Sequence, residues 1–193
     1  MDLYFTNFTT TQRSKQTVES QEFIKKTLAK YYHCQPQDLI LNKTPNGKPF
    51  VLEPNPQPCP CYFNLSHSGD YLALAVNQQP IGIDLEYMKD RNFLALAKNY
   101  FHLSEIESLQ QVSLLKRTNQ NNQELKKLFY TYWTLKEAFI KCQGSTLAAL
   151  LRELEFSVTN GNFALLSPKN KQNYIFTSET VFENYICSTC SPL

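Results

Sequence analysis

Two short blocks constrain the fold of this 193-residue chain more than anything else in it: Gly82-Ile83-Asp84-Leu85-Glu86, and Trp133-Thr134-Leu135-Lys136-Glu137-Ala138-Phe139-Ile140-Lys141. In the first, Ile81, Ile83 and Leu85 alternate with other residues, which is the period of a strand. Asp84 and Glu86 then project side by side from the face opposite the apolar one. The second block has helical period, so Trp133, Glu137 and Lys141 share a stripe with Lys136 beside it. Paired carboxylates on one strand face repel each other unless something positive sits between them. If the helix brings Glu137 to the same place, three carboxylates converge. Such a group suits Mg2+, a hard cation that takes oxygen ligands, keeps several waters and binds phosphate. Lysines beside it suit a phosphate-bearing substrate. Taken alone, Asp84 and Glu86 fit an exposed strand face equally well.

Bulk properties narrow the class. The chain is 42% hydrophobic and 19% charged, as expected of a folded protein rather than a disordered one. A net charge of +2 gives no reason to expect nucleic-acid binding, so any basic patch is local. The start, Met1-Asp2-Leu3-Tyr4-Phe5-Thr6, lacks the basic and apolar regions of a signal peptide. No run approaches the ~18 apolar residues of a membrane span. A cytoplasmic location without membrane attachment is expected, with the six cysteines as free thiols. Cys59-Pro60-Cys61 has the wrong spacing for a usual zinc knuckle, and no histidine pair lies near it or near Cys187 and Cys190.

Along the chain, strands are expected at residues 3–8, 61–65, 71–76 and 81–86, the last two joined as a hairpin by Asn77-Gln78-Gln79-Pro80. Val18, Phe23, Ile24, Leu28 and Tyr31 predict a helix over 17–32. Residues 42–60 read as extended loop with a tight turn at Pro45-Asn46-Gly47. Residues 93–101 read as helical, and Ser104 with Glu107 forms a capping-box pattern for another helix. Thr118–Gln123 reads as an exposed Asn/Gln loop, followed by a helix from Glu124 to about Cys142 that Gly144 ends. Short strands follow at 155–158, 163–166, 174–176 and 185–187, with turns at Gly161 and Ser167-Pro168-Lys169-Asn170. The order predicts an α+β chain of two similar halves, 1–87 and 88–193, although no internal sequence repeat is visible.

The two opening blocks resemble the hallmark motifs of 4′-phosphopantetheinyl transferases. A third block agrees: Asn46-Gly47-Lys48-Pro49 followed by Phe63-Asn64-Leu65-Ser66-His67-Ser68-Gly69. The spacing among the three resembles the larger, surfactin-synthetase-activating type, from about Tyr31 to about Val158. The resemblance implies two pseudo-symmetric α/β halves with coenzyme A in the cleft between them. It implies an Mg2+-dependent enzyme, with Mn2+ as a substitute, that moves the 4′-phosphopantetheine arm of coenzyme A to a serine of a carrier protein and releases 3′,5′-ADP. A chain carrying both halves completes its own cleft, so a monomer is expected.

By the same resemblance Asp84, Glu86 and Glu137 are the metal ligands. Glu137, directly or through a water, takes the serine proton. Lys136 and Lys141 contact the pyrophosphate, with Lys141 on the stripe of Glu137. Ser66, His67 and Lys48 touch the 3′-phosphate. Family members usually carry several basic residues near the N-terminus; Arg13 and Lys15 are the candidates here. Glu105 is a weaker candidate for an acid near the metal, and Asn99 stands where the family often has arginine. Trp133 is expected in the core. Phe139, residues 103–115 and the Asn/Gln loop are where a carrier protein would dock. A phosphohydrolase and a non-catalytic coenzyme A-binding module are the competing readings.

Overall fold

The run Tyr71-Leu72-Ala73-Leu74-Ala75-Val76 is apolar on both faces, and it becomes the middle strand of a sheet covered on both sides. The computed structural model describes residues 1–45, 47–54, 61–114, 119–145, 148–159, 161–168 and 173–193. Asn46, Cys59, Pro60, Thr118, Lys169 and Asn170, on which parts of the expected turns, loop and cysteine pair fall, lie outside them.

The first half runs β1 (Asp2–Asn7), α1 (Arg13–Tyr32), a hairpin of β2 (Ile40–Lys43) and β3 (Pro49–Glu53), then β4 (Tyr62–Ser68) and β5 (Tyr71–Asn77). The second runs β6 (Gly82–Tyr87), α2 (Phe93–Tyr100), α3 (Leu103–Leu114), α4 (Asn119–Cys142), a hairpin of β7 (Glu155–Thr159) and β8 (Asn162–Ser167), then β9 (Tyr174–Val181) and β10 (Tyr185–Pro192). Each half builds a three-stranded antiparallel sheet in the order first strand, last strand, next-to-last: β1-β5-β4 and β6-β10-β9. The repeat that the sequence hides is therefore present in the topology.

Several expectations change. The strands β5 and β6 are not a hairpin: β5 is already paired on both edges, by β1 and β4, and β6 pairs with β10. The hairpin is β4–β5, closed by Gly69-Asp70 with Gly69 at φ +56. Because β6 belongs to the second sheet, that sheet begins at Gly82 rather than after Tyr87. Residues 42–60 contain most of the β2–β3 hairpin, and α4 begins at Asn119, so residues 119–123 are helical rather than loop. Finally, α3 starts at Leu103, and it is Glu105, not Glu107, that accepts the His102 N–H at 3.0 Å.

The two sheets meet without backbone pairing. Side chains of β4 reach across to β6: Asn64 Oδ1 accepts from the Ile83 N–H (3.2 Å), Ser66 Oγ from Leu85 (3.1 Å) and Ser68 Oγ from Tyr87 (3.0 Å). Ala73 and Ala75 of β5, Ile83 and Leu85 of β6, and Tyr185 and Cys187 of β10 form one buried cluster at this seam. A second cluster packs α1 on the other face of β4–β5, and the largest packs α2, α3 and α4 together with β10. Phe182, at the tip of β9–β10, stacks on Tyr71 at 4.2 Å and meets Phe5 edge-on, clasping the first half.

The even positions of β6 face α4. Gly82 is the point of closest approach, for a Cβ there would lie 1.9 Å from the Ala138 carbonyl oxygen and 2.5 Å from the Cys142 nitrogen. Helix backbone cannot yield as a side-chain tip can. Gly82→Ala should therefore lower stability by about 1–3 kcal/mol, the usual cost of forcing extra volume into a packed core. Urea unfolding checks this; an unchanged midpoint would mean the strand and helix are not in contact here.

Candidate active site at the seam

Beyond Gly82 the same strand face carries Asp84 and Glu86, and the same helix carries Glu137 and Lys141. The Lys141 ammonium spends its three N–H donors inward, on Asp84 Oδ1 (2.7 Å), Ser66 Oγ (3.1 Å) and the Ile83 carbonyl (3.1 Å). Asp84 is buried, and its Oδ1 also accepts from Ser66 Oγ at 2.9 Å. Its other oxygen, Oδ2, is buried with no hydrogen-bond partner. Glu86 Oε2 accepts from Ser68 Oγ at 2.7 Å. Burial pushes the Glu86 carboxyl above the usual range; the Ser68 bond and Lys141 oppose this, and Asp84 and Glu137 add to it. Glu137 is raised likewise, by burial first and then by Asp84, with Lys141 opposing. Glu86 thus feels both other carboxylates, and Glu137 feels Asp84.

Among the described residues no three acidic, histidine or cysteine side chains close into a finished cation cage. The donor set nevertheless fits Mg2+, which is held by one or two carboxylates and completes its shell with water and phosphate. An orphaned buried carboxylate oxygen is costly unless something positive meets it. Asp84 Oδ2 is such an atom.

A cleft of about 760 Å3 runs between α1, the β2–β3 hairpin, β4 and the end of α4; it reaches the carboxylate group through Glu137 and Lys141, while Asp84 and Glu86 lie behind its lining. Arg13, Lys43, Lys48, His67, Glu137 and Lys141 are among its lining. Lys48 is half-buried, and burial holds its ammonium below the usual lysine range despite a weaker opposing influence from Cys142. A bound anion would reverse that. His67 is exposed and meets Phe8 edge-on.

Five of the expected residues therefore meet in one cleft: Arg13, Lys48, His67, Glu137 and Lys141. Others do not. Lys15 lies off the α1 stripe of Arg13, Gln16, Thr17, Ser20, Gln21 and Ile24 that faces the cleft. Ser66 is buried behind the wall, and its one donor and two acceptor sites are all used, leaving nothing for a phosphate. Lys136 is fully buried on the far side of α4. It pairs with Glu105 at 2.7 Å and donates to the carbonyls of Leu151 (2.7 Å) and Leu154 (2.5 Å). Positions 136 and 141 are five apart, about 140° around a helix, so they cannot share a face. Glu105 is spent on that pair and on the backbone of His102 and Phe156, away from the carboxylate group. Phe139 is core, packed on Tyr174 and Phe176, and offers no docking surface. Trp133 packs on Tyr100, Phe101 and Phe129 as expected.

Two contributors escaped the sequence reading. Lys43 flanks the same turn as Lys48, and the pairing of Lys43 with Pro49 brings both to the cleft. Ser68 follows Asn64 and Ser66 at alternate positions, and that polar alternation along one strand was the available signal.

Comparison with known proteins agrees with this geometry. The family model described as the 4′-phosphopantetheinyl transferase superfamily matches residues 80–190. A second, described as 4′-phosphopantetheinyl transferase, N-terminal, matches residues 4–79. The two divide the chain just before β6, where the second sheet begins. The chain is 25% identical over 187 residues to the 4′-phosphopantetheinyl transferase gsp of Aneurinibacillus migulanus, covering 97% of this chain and 73% of that protein. It is 30% identical over 132 residues to the 4′-phosphopantetheinyl transferase Sfp of Bacillus subtilis, covering 68% and 53%. It is 30% identical over 156 residues to the L-aminoadipate-semialdehyde dehydrogenase-phosphopantetheinyl transferase of Xenopus laevis, covering 79% and 51%. The matches thus span between about half and three quarters of these relatives' own length. The family model that covers the second half takes in β6 and the whole of α4, the elements that bring Asp84 to Lys141, and the chain belongs to the 4′-phosphopantetheinyl transferase superfamily.

Proposed function

We infer that the chain transfers the 4′-phosphopantetheine arm of coenzyme A to a serine hydroxyl of an apo carrier protein and releases 3′,5′-ADP. The observation that carries this reading is a cleft with basic walls that reaches Glu137 and Lys141, with Lys141 bonded to Asp84, a buried carboxylate that has one oxygen without a partner. Asp84, Glu86 and Glu137 would hold Mg2+, or Mn2+ in its place. The ion, when bound, neutralises charge on the pyrophosphate oxygens and holds the group for in-line attack. Lys48, His67 and Arg13, with Lys43, face the 3′-phosphate end. Lys141 holds Asp84 in place and puts positive charge at the cleft wall; to contact the pyrophosphate directly it would release one of its three present acceptors. Glu137 lines the cleft and receives the serine proton, directly or through a water.

Both halves contribute to the one cleft, which supports a monomer. No described helix is long and apolar enough to cross a membrane. Free thiols at Cys34, Cys142, Cys187 and Cys190 support the reading of a cytoplasmic protein. The deciding experiment is mass spectrometry of a fatty-acid-type and a peptide-synthetase-type apo carrier protein after incubation with the chain, coenzyme A and Mg2+. A gain of one phosphopantetheine arm on the carrier serine is expected. Steady release of 3′,5′-ADP without any carrier protein would instead make the chain a hydrolase.

The basic wall makes a separate prediction. Lys48→Ala should raise the Michaelis constant for coenzyme A about tenfold with little change in kcat, since an interaction with the remote phosphate is made equally before and during reaction. With 3′-dephospho-coenzyme A the difference between variant and parent should shrink. Lys15→Ala should change neither constant. Equal losses on both substrates would remove Lys48 from the 3′-phosphate.

A further inference from the structure

Two steps of the side-chain seam do more than join the sheets. At each, one serine hydroxyl accepts the N–H of the residue after a carboxylate and donates its own proton to that carboxylate. Ser66 accepts from Leu85 and donates to Asp84 (2.9 Å); Ser68 accepts from Tyr87 and donates to Glu86 (2.7 Å). Asn64 provides an internal comparison. It accepts from Ile83 in the same way, but no carboxylate stands at that step. Joining the strands needs only an acceptor, and a carboxamide oxygen supplies it. A hydroxyl stands at both steps where a carboxylate has to be held.

We propose that Ser66 and Ser68 are positioning residues that fix the rotamers of Asp84 and Glu86 from the opposite half of the chain, each engaging one carboxylate oxygen and leaving the other to face a divalent cation. The proposal rests on the reading of these carboxylates as the cation site. Its geometry is on view at Asp84, where Oδ1 takes both Ser66 and Lys141 and Oδ2 is left buried and unpartnered. Neither serine touches substrate in this scheme. Each shortens the search of a carboxylate through its rotamers, as outer-sphere partners of metal ligands generally do. One half of the chain thereby sets the ligand geometry of the other.

The test uses the full chain and Mn2+ as the probe, with free Mn2+ read by electron paramagnetic resonance in the presence of coenzyme A. Ser68→Ala should weaken Mn2+ binding about tenfold or more, and Ser68→Thr, which keeps the hydroxyl, should restore it. Binding of coenzyme A alone, measured in EDTA, should be the same in all three proteins. On a Glu86→Gln background, Ser68→Ala should add no further loss, because the pair acts as one unit. Ser66→Ala should behave like Ser68→Ala, although it also strands the buried Leu85 N–H. Should either alanine variant not fold, Ser68→Cys decides the point, since it keeps the volume with only a weak donor. Unaltered Mn2+ affinity in a folded Ser68→Ala protein overturns the proposal and leaves the cation reading intact. So does an equal loss of Mn2+ and metal-free coenzyme A binding, which would mark a merely structural serine. A parent protein that binds no Mn2+ overturns both together.

Discussion

Asp84→Ala should lower turnover about 100-fold or more, the scale of losing a principal electrostatic stabiliser of the transition state. The substitution removes Oδ2, a buried carboxylate oxygen that has no partner, and it frees Lys141 from its shortest bond. It also reduces the proposed cation ligands from three carboxylates to two, Glu86 and Glu137. Asp84→Asn is the informative control, because it keeps the volume and an acceptor for Ser66 while removing the charge. A loss as large as that of the alanine variant assigns the effect to charge. Chelation should have the same result as Asp84→Ala, and the assay is carrier-protein modification with and without EDTA. Near-normal turnover in excess EDTA would refute the metal assignment.

Lys136→Met should cost about 3–5 kcal/mol of stability, the penalty for breaking one side of a buried ion pair. Lys136 and Glu105 are both inaccessible to solvent. Burial pushes the lysine down and the glutamate up, and each is held charged by the other. Without the ammonium, the Glu105 carboxylate and the carbonyls of Leu151 and Leu154 lose their donor at once. Replacing both members, Lys136→Met with Glu105→Leu, should recover part of the loss because no buried charge is left unpaired. The two carbonyls would still lack a donor, so recovery should be incomplete. Urea unfolding of the two single variants and the double settles it; additive losses would show that the pair is not coupled.

What could be read from the sequence was what period alone encodes. The strand at Gly82–Glu86 and the stripe of Glu137 and Lys141 were legible because alternation and four-residue spacing state which side chains share a face. The same arithmetic separates Lys136 from Lys141 and Lys15 from Arg13. Other errors had no local remedy. The link between β5 and β6 looks like a hairpin loop, and only the pairing of β5 on both edges shows that the place is taken. Ser66 fits a phosphate-binding serine until its three hydrogen bonds across the seam are counted. The Asn-rich run at the head of α4 has low helix propensity, which continuity with the strong helix that follows overrides.

The seam between the sheets also works as a key. In an ordinary ladder every residue offers the same N–H and C=O, so a strand that slips by two residues finds equivalent partners. Here the acceptors are side chains, and only Asn64, Ser66 and Ser68 supply them. A slip of one residue would set Phe63, Leu65 and His67 against the three donors of β6, and the first two have no side-chain acceptor. A slip of two residues would keep an oxygen at some steps but pair Asp84 or Glu86 with the wrong tooth. The two halves can therefore close in one alignment, and it is the alignment in which each carboxylate finds its serine.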